Sequence, residues 1–204
     1  MNRFLYTFLL LQILSYTPEE AKARQAGLLA YGGLAWSTIA FHPVSESKLS
    51  PNYYSLTPEV AFGWSPKEWV SLQAWADYHA GMEGKTQIGG PENASVQSFG
   101  ASLGFYIQKE INIELRGGRS VYNLVRPTEV ENEVRGRWRG NIGGIRLLAN
   151  IHKKRNNYVF FGLELRGGFL KPDIKPAETP TDEQVSRRLD QIRVVMIFML
   201  KRKR

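Results

Sequence analysis

The chain has 204 residues, no cysteine and a formal net charge of +8. Without cysteine there is no disulfide framework and no thiolate metal site; at this length a single domain is expected. A pI near 9.7 raises nucleic acid as a partner, but the basic runs Lys153-Lys154-Arg155 and Lys201 to Arg204 sit in a short turn and at the extreme C-terminus, a distribution that argues against it.

The first 23 residues read as a secretory signal. Met1-Asn2-Arg3 is a basic n-region, Phe4 to Leu14 an apolar h-region too short to span a bilayer as a helix, and Ala21-Lys22-Ala23 a small-x-small cleavage pattern. Residues 24–204 are then expected to form one barrel domain. No later segment holds eighteen uninterrupted apolar residues, so a helical membrane protein is excluded. A mean hydropathy of −0.32 is compatible with a barrel, in which only alternate residues meet lipid.

After residue 26, eight strand-like stretches follow, joined alternately by long polar segments (41–52, 81–95, 126–137 and 171–190) and very short turns at 65–68, 108–110 and 153–157. Strand one, about 27–40, is apolar on both faces and its register cannot be read. Strand two, about 53–65, places Leu56, Val60, Phe62 and Trp64 outward and Thr57, Glu59, Ala61 and Gly63 inward, with Pro58 at an outward position where a ladder bond is lost. Strand three alternates most clearly: Val70, Leu72, Ala74, Ala76 and Tyr78 oppose Trp69, Ser71, Gln73, Trp75, Asp77 and His79. Strand four sets Phe99, Ala101, Leu103, Phe105 and Ile107 outward; strand five sets Ile111, Ile113 and Leu115 against Asn112, Glu114 and Arg116. Strand six shows Ile145, Leu147, Ala149 and Ile151 to lipid, with Arg146, Asn150 and His152 inside. Strand seven presents Val159, Phe161, Leu163, Leu165 and Phe169, and strand eight Ile192, Val194, Met196, Phe198 and Leu200. Aromatic residues near the strand ends read as an interfacial girdle: Trp64, Trp69 and Tyr158 at one end, and Trp36, Tyr53, Tyr54, Tyr78, Tyr122, Trp138 and Phe169 at the other.

The fold class is therefore all-β: an eight-stranded antiparallel up-and-down transmembrane barrel with short periplasmic turns and long extracellular loops. A soluble sandwich or lipocalin-like barrel also alternates. Its outer face would carry many lysines, however, whereas the polar face here holds glycine and charges of both signs. Glu-Leu-Arg-Gly-Gly occurs at 114–118 and again at 164–168. Glu59, Asp77, Glu114, Arg116, Arg146, Glu164, Arg166 and Arg193 all project inward by alternation. A lumen of eight strands is wide enough only for side chains, so these charges must pair. They read as a structural plug; a narrow ion-conducting pore is the functional alternative.

In strand pattern, loop rhythm and signal segment, residues 26–200 resemble the small eight-stranded outer-membrane proteins of the OmpA/OmpX-type group. The resemblance implies export to the outer membrane of a Gram-negative-type bacterium and a monomer. It also implies outer-membrane lipids (lipopolysaccharide included) and the insertion machinery as partners, and structural or surface-interaction roles carried by loops, with an extracellular or periplasmic protein partner left open. The chain departs from the group at its C-terminus, where Phe198 is followed by Met199, Leu200 and four basic residues. The alternative is a lipid A-modifying enzyme, an acyltransferase or deacylase. The His-x-Ser of the deacylases is missing; His42, Asp77 and Ser45 are the loose candidates for acyl transfer. His79 and Asp77 share a face, but two ligands do not make a metal site. No cofactor motif is present, and no nucleotide fingerprint occurs among the glycines.

Overall fold

A computed structural model describes residues 27–43, 53–67, 69–85, 91–107, 110–127, 132–154, 157–173 and 186–203. Eight strands follow in chain order: β1 (Gly27–Pro43), β2 (Tyr53–Lys67), β3 (Val70–Lys85), β4 (Pro91–Tyr106), β5 (Ile111–Pro127), β6 (Asn132–Lys154), β7 (Asn157–Pro172) and β8 (Arg187–Lys203). Each pairs antiparallel with its neighbour, and β1 pairs with β8 to close the barrel. No helix long and apolar enough to cross a membrane occurs among the described residues, which leaves strand crossing untouched. The signal segment and Ser45 lie outside the described residues.

Cross-strand neighbours can be followed from Gly167 through Gly143, Gly117, Ala101, Ala74, Phe62, Ala30 and Leu200. They return to β7 at Asn157, ten residues from the start. Such a stagger over eight strands tilts them by about 40° and leaves an interior that side chains can fill.

The two faces are inverted relative to a water-soluble protein. Large apolar side chains cover the outside, among them Phe62 at 68% exposure and Leu165 at 61%, while Glu114, Arg146, Glu164 and Arg193 are at 0%. β1, unreadable from its pattern, turns Leu29, Tyr31, Ala35, Ser37, Ile39 and Phe41 inward and Leu28, Leu34 and Trp36 outward.

Several expectations need correction. Strand pairing runs beyond the hydrophobic belt: β3 and β4 stay paired to Lys85 and Pro91, past a register shift between His79 and Met82, and β5 and β6 to Pro127 and Asn132, past one between Leu124 and Val125. The segments read as loops at 81–95 and 126–137 are thus mostly strand, because above lipid a ladder needs only paired N–H and C=O groups and no apolar alternation. His152, expected inside, is exposed, because a register shift between Asn150 and His152 turns the strand end over. Trp69 belongs to the turn before β3 and is half-buried; its carbonyl accepts from the Tyr106 N–H at 2.9 Å. Tyr53, Tyr122, Trp138 and Tyr158 are no girdle members but face the lumen, whereas Trp36, Tyr54, Trp64, Tyr78 and Phe169 do face outward. Pro58 sits opposite Leu34 of β1, and the β2–β3 ladder is interrupted between Tyr54 and Glu59, where its missing donor is accommodated.

The paired glycines have two distinct roles. The inner members pack against a neighbouring strand: a methyl group on Gly118 or Gly168 would run into the carbonyl of Phe99 or Asn141, as one on Gly162 would into that of Leu147. Two of the outer members do not, since a methyl group on Gly117 meets nothing within 4 Å and one on Gly143 only the Arg116 carbonyl at 3.8 Å; one on Gly167 would meet the Asp190 carboxylate. Gly162→Ala is therefore expected to lower stability by about 1–3 kcal/mol through overpacking, and Gly117→Ala to change it by less than about 0.5 kcal/mol. Urea titration of the vesicle-inserted barrel measures both.

Candidate functional site

The midsection of the lumen is built from one register row. Glu114, Arg146, Glu164 and Arg193 are successive cross-strand neighbours on β5 to β8, so acid and base alternate around half the wall. Two residues along, Arg116 and Arg166 flank Gly144, whose missing side chain leaves room between two guanidinium stems. Glu59 and Asp77, neighbours on β2 and β3, approach from the opposite wall.

Glu164 is the hub. It accepts from Arg116 Nη1 at 3.0 Å, Arg146 Nη2 at 2.8 Å, Arg166 Nη2 at 2.8 Å and Arg193 Nη1 at 2.9 Å. Glu59 accepts from Arg146 Nη2 at 2.6 Å and from the Tyr31 hydroxyl at 2.9 Å, and lies 3.1 Å from Arg116 Nη2. Asp77 accepts from Arg166 Nη1 at 2.7 Å and Arg193 Nη1 at 2.9 Å. Glu114 is held more loosely, by Arg146 Nη1 at 3.5 Å, Asn112 Nδ2 at 3.3 Å and Gln73 Nε2 at 3.4 Å. Four carboxylates thus balance four guanidinium groups, and none of the eight side chains' residues is more than 6% exposed. A water-filled path past this level would expose them, so the lumen is filled here.

Two aromatic partners complete the arrangement: Tyr31, on the strand whose register alternation left unread, and Trp75, on the inward face that alternation gave to β3. Tyr31 links Glu59 to Arg146 Nη1, which donates to its hydroxyl at 3.2 Å. Trp75 lies between two cations, with the guanidinium carbons of Arg116 and Arg166 at 4.0 and 4.6 Å from its ring. Its indole N–H donates to the Ala101 carbonyl at 3.1 Å. Apolar layers seal both sides. Toward the longer connections Phe41 stacks on Tyr122 at 3.8 Å, with Trp138 edge-on at 5.4 Å. Toward the short turns Leu148, Phe160, Ile197 and Met199 are buried.

The catalytic candidates are not brought together. His42 pairs with exposed Arg188 on the outer side of the wall, while Asp77 is inside and engaged by two arginines. His79 is buried beside Asp77, its Nε2 3.8 Å from Asp77 Oδ1 and its Nδ1 2.7 Å from the Thr57 hydroxyl. Among the described residues no three His, Cys, Asp or Glu side chains converge on a point that could hold a metal ion.

No protein-family model matches the sequence, and no curated relative does. Solved structures do. Neisserial surface protein A aligns with a TM-score of 0.57 at 10% identity, covering 86% of this chain and 97% of its own. The attachment invasion locus protein Ail of Yersinia pestis aligns with a TM-score of 0.55 at 11% identity, covering 86% and 99%. The outer-membrane protein AlkL aligns with a TM-score of 0.51 at 8% identity, covering 92% and 96%. The match in strand number, closure and near-complete coverage is a match of fold, and this chain is a small eight-stranded β-barrel of the bacterial outer-membrane type.

Proposed function

We propose that the protein is an integral outer-membrane barrel, sealed through its lumen, that anchors its longer connections at the outer surface for a structural or binding role. The observation that carries this reading is the inversion of its two faces: a charge-neutral ionic interior inside a continuous belt of exposed apolar side chains, including Leu34, Phe62, Leu147, Leu163 and Phe198. A belt of that extent is far beyond the apolar patch a soluble monomer carries, and lipid is the solvent that suits it. A filled midsection favours an anchor over a conduit. The separation of His42 from Asp77 favours binding over acyl transfer.

Two measurements test the reading. Expressed with its own leader, the chain should lose residues 1–23, fractionate with outer membranes and change mobility on a gel when heated. Recovery in the cytoplasm beginning at Met1 would contradict it. Lipid A from cells with and without the protein should have the same mass; gain or loss of an acyl chain would replace the anchor role with an enzymatic one.

A further inference from the structure

On the outer wall, above the apolar belt, five basic side chains gather around one open groove of about 1150 Å³: Arg119 on β5, Arg137 and Arg139 on β6, Lys171 on β7 and Arg188 on β8. They are far apart in sequence and meet only through the register. Arg119, Asn141, Phe169 and Arg188 form one cross-strand row, and Val121, Arg139 and Lys171 the next. Directly below lies the row Gly117, Gly143, Gly167 and Asp190, and below that Leu115, Ile145, Leu165 and Ile192. With a rise of ~3.3 Å per residue and a tilt of about 40°, successive rows are about 5 Å apart in height. The cations therefore begin roughly 10 Å above the last aliphatic row, where hydrocarbon gives way to headgroups.

Only part of this charge is answered among the described residues. Asp173 reaches Arg139 at 2.9 Å and Arg137 at 3.7 Å, and Asp190 holds Arg188 at 2.6 Å. Among the described residues two carboxylates face five cations, which leaves this part of the groove with a net positive charge. Two of the three glycines in the row below, its floor, leave open space: a methyl group on Gly117 would touch nothing and one on Gly143 only the Arg116 carbonyl at 3.8 Å, whereas one on Gly167 would meet the Asp190 carboxylate at 2.9 Å. Phe99 and Phe169 line the same groove, 54% and 62% exposed.

We infer that this groove binds a phosphorylated glycolipid of the outer leaflet, of the lipid A type. Its acyl chains lie over Leu115, Ile145, Leu165 and Ile192, its sugar over the glycine floor, and its phosphates on Arg119, Arg139, Lys171 and Arg188. The charge complementarity is specific in kind. Guanidinium groups bind phosphate oxygens by paired, charge-assisted hydrogen bonds, and a cation on the lipid-facing wall is tolerated where headgroups neutralise it. An amphiphile with several chains and more than one phosphate matches both the apolar rows and the cationic rows, which a soluble anion does not. The inference rests on the outer-membrane placement proposed above.

The test uses the full mature chain refolded in detergent, with heat-dependent mobility as the check of folding, and native mass spectrometry to read bound lipid. Diphosphoryl lipid A should be retained, monophosphoryl lipid A less, and a zwitterionic phospholipid least. In Arg119→Gln/Arg188→Gln, retention of diphosphoryl lipid A should fall by at least about tenfold, the loss of two charge-assisted contacts. Gly143→Leu fills the floor without touching those charges and should lower retention as well. Lys67→Gln, at the other end of the barrel, should retain lipid as the wild type does. Retention unchanged in both groove variants, or equal for all three lipids, overturns the inference, as does efficient displacement by inorganic pyrophosphate, which would make the groove a general anion site. A wild-type chain that shows no heat-dependent mobility in detergent or vesicles defeats the membrane placement itself, a separate and recognisable failure.

Discussion

Glu164→Gln is expected to cost about 3–5 kcal/mol of barrel stability, the range for removing one partner from a buried ion pair. Four arginines donate to this carboxylate. The substitution leaves four guanidinium groups facing three acids, and the new amide turns an N–H₂ toward groups that can only donate. Arg146→Met should be of similar size, because it removes a guanidinium from Glu59, Glu164 and the loosely held Glu114 at once. The double variant should cost less than the two singles added, with a coupling of about 0.5–3 kcal/mol. The coupling is partial because Arg116, Arg166 and Arg193 still surround position 164. Urea titration in phospholipid vesicles measures each corner of the cycle. Losses that add within about 0.5 kcal/mol would mean the charges are independent.

Leu163→Arg should destabilise insertion by about 2–4 kcal/mol, the cost of a cation on the lipid face near the bilayer midplane. Leu163 is 54% exposed and sits in a row with Leu147, Val194 and Trp36. Leu115 lies one row nearer the glycine floor, beside Leu103 and Ile145. An arginine there can reach headgroups, so Leu115→Arg should cost less than Leu163→Arg. Thr179→Arg, in the join between β7 and β8, should cost nothing measurable. Folding yield into vesicles orders the three, and equal yields for Leu163→Arg and Thr179→Arg would contradict the assignment of outside and inside.

Alternation made the wall of this barrel readable because lipid selects apolar side chains at every second position on β3, β4, β5, β7 and β8. It failed where the lumen itself is apolar. On β1, Leu29, Ile39 and Phe41 fill the layers above and below the ion pairs, so inside and outside look alike. The same ambiguity sent Tyr53, Tyr122, Trp138 and Tyr158 to a girdle they do not join. His152 was misplaced by a bulge, which a period of two cannot foresee. The two Glu-Leu-Arg-Gly-Gly segments did disclose an inward charge level, since equal spacing on two strands running the same way puts like positions at like heights. Tyr31 could not be assigned to that level without the register of β1. The basic groove was invisible for a related reason: Arg119, Arg139 and Arg188 become neighbours only once β5 to β8 are aligned.

The account stands most directly on the conductance of the folded full-length protein in a planar bilayer. A lumen filled by four paired carboxylates and four guanidinium groups should hold current near background in the wild type, and Arg146→Ala should open no passage smaller or larger than leakage. Discrete, reproducible channels in the wild type that vanish in Arg146→Ala would contradict it and make the charged midsection a selectivity element of a pore.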